Sequence, residues 1–183
     1  MKGIIFNVAE KAVTELLGED AWDDLLEDAG VDGDYTALGT YPDEELLALV
    51  AVAATKTGHD PAEVQRLIGR HALPHLVASV EDFLAPNLDV FEFLASVHSI
   101  IHVEVKKLDP NAKPPDLVPE QVSKDELHLT YRSERGLSPL AEGLILGAGD
   151  HYGEPLTIEV LSGGGTEAVV AVRRNASALR HVA

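Results

Sequence analysis

An α+β fold follows from this sequence: an N-terminal helical subdomain, then an antiparallel sheet with one helix inserted. Apolar residues recur at helical spacing from Ile4 to Lys107, and once more from Ser138 to Tyr152. Beyond Pro110 the period changes, and Glu126 to Arg132 alternates with β-favouring residues. Gly163-Gly164-Gly165 then separates two more such runs, Leu156 to Leu161 and Ala168 to Arg173, as a hairpin turn would. Helices first and strands later is the α+β order.

Taken along the chain, Ile4, Ile5, Val8, Val13, Leu16 and Leu17 fit an amphipathic first helix. The same segment has the lysine-then-apolar look of a signal peptide. However, Asn7, Glu10 and Lys11 interrupt the run and no small-residue cleavage site follows, so it reads as a folded helix of a cytoplasmic protein. Asp20 to Ala29 is a second helix, ended by Gly30. Asp43, after Tyr41-Pro42, caps a third, Glu44 to Lys56, with Glu44 and Glu45 in its first turn where negative charge suits the helix dipole. Asp60-Pro61-Ala62-Glu63 starts a fourth, which runs to about Ser79 and which Pro74 must kink or interrupt. Leu88 to Lys107 reads as one long helix ended by Asp109-Pro110. Pro114 to Pro119 is an extended connector into the sheet, and Ser138 to Tyr152 is the inserted helix. The residues after Arg173 read as a frayed tail, giving an expected domain of 1–173 and a tail of 174–183.

The 183 residues, 45% of them hydrophobic, suffice for one sizeable core and a single domain. No apolar run reaches the roughly 18 residues of a membrane span. The absence of cysteine excludes disulfides, cysteine-held iron–sulfur clusters, thiolate-ligated haem and cysteine-built zinc sites. A formal net charge of -17 makes nucleic acid and anionic lipid poor partners.

Two features carry chemistry. Tyr131, Ser133 and Arg135 lie at i, i+2 and i+4, so an extended segment points all three to one face. A phenol, a hydroxyl and a guanidinium in a row are all donors, suited to an anionic ligand with carboxylates; an ordinary solvent-facing strand edge is the plain alternative. The second feature is the pair His98 and His102, four apart on one helical face. Such a pair can bind zinc, although no local carboxylate or third histidine completes the set. Alternatively one imidazole ligates haem iron, and His102, among Ile100, Ile101, Val103 and Val105, has the more apolar setting. His71 and His75 are also four apart, as a solvated face or a metal-binding pair.

Together these segments resemble the haem nitric oxide/oxygen-binding (H-NOX) family, related to the sensory domain of soluble guanylate cyclase. The likeness runs from Met1 to about Val172. It rests on M-K-G-I-I-F-N, G-E-D-A-W-D-D-L, Y-P-D-E-E-L, I-H-V-E-V-K-K-L-D-P and Y-R-S-E-R-G-L, with Tyr-x-Ser-x-Arg about thirty residues after the helical histidine. The resemblance implies haem b buried between the helical subdomain and the sheet, with His102 as the iron ligand. It further implies Tyr131, Ser133 and Arg135 on the propionates and Pro115 packed against the porphyrin edge, distorting it. Ile5 and Val8 of the first helix, with Leu140 and Leu144 of the inserted one, are then the gas-pocket residues, and His98 lies on the helix surface. Cysteines that hold zinc late in some members are absent here.

The resemblance also implies a sensor rather than an enzyme, since a haem catalyst needs a distal acid–base group and these pocket residues offer none. Members that hold dioxygen place a tyrosine where this chain has Leu140, and Leu137, Ala141, Leu144 and Ala148 are apolar too. Nitric oxide and carbon monoxide are therefore the expected ligands, with His75 the one group whose direction decides whether a donor reaches the pocket. With no kinase or cyclase motif in the chain, the signal passes to a separate partner, by family analogy a histidine kinase or a cyclic-di-nucleotide enzyme. The rival reading is a haem-free module of related architecture whose Tyr-Ser-Arg row binds another anion.

Overall fold

The computed structural model describes residues 1–175. Helix α1 (Gly3–Leu17) buries Phe6, Val8, Ala9, Ala12 and Val13 on one face. Helix α2 (Ala21–Ala29) ends at Gly30, whose φ of 67° is the left-handed cap that glycine adopts without strain. Helix α3 (Asp43–Thr57) starts one residue before the sequence expectation: Pro42 holds the cap position and Asp43 lies inside the first turn. Its carboxylate makes no cap bond and reaches partners elsewhere in the chain. Helix α4 (Pro61–Val80) begins as expected, with the Asp60 side chain accepting from the Ala62 N–H at 2.9 Å.

The expected long helix over 88–107 is three pieces. Asp89 and Glu92 form a reciprocal capping box that starts α5 (Val90–Ser96). A π-helical turn, Val97–Ile101, follows, and then α6 (His102–Leu108). Apolar periodicity does not register a π turn, because one widened turn shifts the pattern by a single residue.

The sheet has four antiparallel strands in the order β1-β2-β4-β3. Strand β1 (Asp116–Ser123) replaces the expected connector. Its Pro119 pairs with Leu129, and proline is tolerated there because β1 is an edge strand. Strand β2 (Glu126–Arg132) turns Leu127, Leu129 and Tyr131 inward. Helix α7 (Ser138–His151) is inserted before the hairpin of β3 (Leu156–Gly164) and β4 (Glu167–Arg174). Of the expected tail, Arg174 closes β4 and the Asn175 N–H donates to the Pro155 carbonyl; the rest of it lies outside the described residues. No helix among the described residues is long and apolar enough to cross a membrane.

Two buried clusters result. One joins α1 to α4 through Phe6, Trp22, Leu25, Leu49 and Ile68; the other packs α5 and α7 on the sheet through Val90, Phe93, Ile145, Leu129 and Val172. Helices α4 and α7 make the most extensive helix–helix contact, and glycines set its closeness. A Cβ at Gly69 would overlap the Leu140 carbonyl, one at Gly143 the Arg66 carbonyl, and one at Gly147 the Arg70 carbonyl. The last contact bears on Pro74. Having no N–H, Pro74 leaves the Arg70 carbonyl unbonded within the helix, and Gly147 backs onto that oxygen while α4 runs on unbroken to Val80. Gly143→Ala should therefore cost roughly 1–3 kcal/mol, seen as a lower urea midpoint at unchanged slope. An unmoved midpoint would show that the two helices separate freely.

Candidate functional site

His102 opens α6, directly after the π turn. Burial pushes its pKa down to about 4, with His98 and Lys106 adding to the effect. The Pro115 carbonyl and Asp116 pull the other way without reversing it. The imidazole is thus neutral near pH 7, the form that donates a lone pair to a metal. Its Nδ1 is buried, and although the Pro115 carbonyl is near enough to influence the ring, no partner meets that nitrogen at hydrogen-bonding geometry. His102 and Pro115, thirteen residues apart in sequence, are thereby brought together.

His98 lies on the helix surface, as expected, with one nitrogen turned inward. Its side chain is 38% exposed, but its Nδ1 is buried without a hydrogen-bond partner, 3.9 Å from Asp116 Oδ1 on β1. Among the described residues, no group of three or more histidine, aspartate or glutamate side chains is arranged to hold a metal ion.

In the Tyr-Ser-Arg row only Tyr131 lies in the strand, since β2 ends at Arg132. Ser133 and Arg135 sit in the turn that follows, where the Gly136 N–H donates to the Ser133 carbonyl at 3.4 Å. Alternation nevertheless persists, with 131, 133 and 135 drawn in and 132 and 134 exposed. Each side chain has at least one tie to the scaffold. The Tyr131 hydroxyl, on a residue 4% exposed, accepts from the Leu137 N–H at 3.2 Å. Ser133 Oγ accepts from the Arg135 N–H at 3.3 Å. Arg135 Nε donates to Asp43 Oδ1 at 3.0 Å, and its Nη1 donates to the Lys113 carbonyl. Both hydroxyl protons, and the remaining N–H groups of the guanidinium, are left for a further acceptor.

The apolar residues divide between the clusters. Val8 is fully buried in the helical one, with Ile5 and Leu140 packed against it half-buried, while Leu144 packs against the sheet-side one. His75 turns toward α1, its Nε2 2.9 Å from Glu15 Oε1, with His71 Nδ1 3.9 Å from the other oxygen of Glu15. Glu15 lies near the C-terminal end of α1 and is half-exposed, so this pairing directs His75 away from Ile5 and Ala9.

The haem-NO-binding family model matches residues 2–160. The chain belongs to this family, the H-NOX proteins. Solved structures agree. An H-NOX protein from S. oneidensis in the Fe(II)NO ligation state superposes with a TM-score of 0.86 at 27% identity, covering 96% of this chain and 99% of that one. An oxygen-binding H-NOX domain related to soluble guanylate cyclases, in its oxygen complex, gives 0.83 at 26%, over 96% and 95%. A point mutant of an H-NOX protein from K. algicida, in the Fe(II) unliganded state, gives 0.80 at 29%, over 96% and 97%. A comparison with curated protein sequences found no match.

H-NOX domains bind haem, and this chain has the fold of those gas sensors. Its residues fit that group: one neutral, largely buried imidazole with an orphaned nitrogen, and three donors with protons to spare for carboxylates. Sequence reasoning missed three participants. Asp43 carried only a cap signal, and nothing local ties it to Arg135, 92 residues away. The Lys113 carbonyl is backbone and leaves no sequence trace. Glu142, 8% exposed on α7, was hidden in an apolar run; it turns to Arg66 Nε on α4 at 2.7 Å. Because the Tyr131 hydroxyl satisfies a buried N–H, Tyr131→Phe should destabilise the haem-free protein by about 1–3 kcal/mol. Chemical denaturation of the haem-free protein measures this, and equal stability would mean the hydroxyl serves a ligand alone.

Proposed function

We propose that this H-NOX protein is a cytoplasmic nitric oxide sensor that holds haem b, with ferrous iron on His102. It binds nitric oxide and carbon monoxide, excludes dioxygen, and signals to a separate partner, a histidine kinase or a cyclic-di-nucleotide enzyme. The observation that carries the reading is His102 itself, a largely buried imidazole held neutral, whose buried Nδ1 meets no partner at hydrogen-bonding geometry among the described residues. Tyr131, Ser133 and Arg135 hold the propionates, Pro115 packs against the porphyrin edge, and Ile5, Val8, Leu140 and Leu144 line the gas side. Haem, when bound, would supply a ferrous iron able to take up a diatomic gas. What the chain supplies is selectivity and coupling.

Selectivity follows from the lack of a donor on the gas side among the described residues. Dioxygen on ferrous haem gathers negative charge and needs a distal donor to persist, whereas nitric oxide and carbon monoxide depend on one much less. Leu140 and Ala9 offer no proton, and His75 is engaged with Glu15. Coupling follows from where α6 is tied. His102 is its first residue, and Asp109, just past its end, pairs with Lys2 at 3.0 Å. A displacement of His102 therefore reaches α1 through an ion pair.

The absorbance spectrum of haem-supplied protein tests the first claim, and lack of a Soret band would leave the haem-free anion module. His102→Gly should lose the haem or keep it only with added imidazole, while His98→Ala should keep the native ferrous spectrum; a normal spectrum for His102→Gly would sink the ligand assignment. Exposing the ferrous protein to air tests selectivity: we expect no stable dioxygen spectrum, and a persistent one would place a donor, His75 first, on the gas side.

A further inference from the structure

We infer that Asp43 is the positioning residue for Arg135, aiming its guanidinium at the haem propionates; this rests on the haem reading above. An arginine side chain alone is a flexible tether with many rotamers, and holding it in one costs entropy. Here two contacts remove that freedom. Nε is held by Asp43 Oδ1 at 3.0 Å and Nη1 by the Lys113 carbonyl, so the plane of the rigid fork is set. Nη2 carries no protein partner among the described residues and is the edge left for a carboxylate.

Asp43 is itself immobilised. It lies in the first turn of α3, and its Oδ1 also receives the Met1 amine at 2.6 Å. Burial alone would raise its pKa, but the amine and Arg135 outweigh burial and hold the carboxyl below its ordinary range. Asp43 is therefore ionised at neutral pH. It does not cancel the attraction for a further anion, because two cations meet one carboxylate there and leave one positive charge. The Lys113 carbonyl lies two residues before Pro115, so the same guanidinium also steadies the segment that carries Pro115. Among the described residues, Asp43 alone brings a hydrogen bond from the helical subdomain to this fork.

The experiment uses the full chain with haem, comparing the wild type with D43N, D43E, R135A and the D43N/R135A pair. Haem transfer to excess apomyoglobin should be about tenfold faster for D43N, the size expected when one charge-assisted contact is lost. D43E, which keeps the carboxylate, should fall closer to the wild type. Added to R135A, D43N should bring no further acceleration, which separates action through Arg135 from general loosening. In the isotope-labelled haem-free protein, the Arg135 Nε–H resonance, identified by its absence in R135A, should shift in D43N. Wild-type transfer rates for D43N, effects that add in full, or an unmoved resonance would each overturn the assignment while leaving the haem reading intact. A wild type that takes up no haem would overturn both.

Discussion

The close approach of α4 and α7 is the constraint on which the site depends. Gly69, Gly143 and Gly147 let the two backbones touch, and Arg66–Glu142 and Arg70–Asp150 pin the contact along its length. Helix α4 serves both buried clusters, giving Val64 and Ile68 to one and Leu73 and Val77 to the other. With α7 seated on it, Leu140 belongs to the helical side and Leu144 to the sheet side. A Cβ at any of the three glycines would push α7 outward and move those two residues together. Leu140 and Leu144 are thus placed by the packing of two backbones against each other.

The start of α7 is fixed by the same motif that the haem reading assigns to the propionates. Tyr131 accepts from the Leu137 N–H, one of the donors that a helix N-terminus leaves unpaired, and the Ser138 hydroxyl accepts from Gly165 of the hairpin. Arg135 meanwhile joins α3 to the segment before Pro115. Each motif residue commits only part of its hydrogen-bonding capacity to the scaffold. Folding and ligand retention are therefore linked: any group that binds only the folded form adds to its stability by mass action.

Much of this was legible in the sequence. The helix start at Asp60-Pro61 and the stop at Gly30, the inserted helix and the glycine hairpin are local signals, and the structure has them where local chemistry puts them. Strand β1 was not, because Pro119 argues against a strand until its edge position is known. The continuity of α4 through Pro74 was equally hidden, since it involves Gly147, a residue on another helix. The candidate histidine and the Tyr-Ser-Arg row were visible as residue types in a pattern. Their restraints were not, for Asp43, Lys113 and Leu137 meet Arg135 and Tyr131 only in three dimensions.

The π turn is the most informative of the hidden features. Five of the seven residues of α5 are buried, whereas neither the π turn nor α6 has a fully buried residue. The helix therefore passes from a segment packed on the protein core to one with less protein around it, and His102 stands just beyond that boundary. A π turn replaces the i→i+4 bonds of the helix with i→i+5 bonds and is frequently found at functional sites. The break places His102 at the head of a separate helical segment, α6, and the residue just past the end of that segment, Asp109, is tied to Lys2 beside α1.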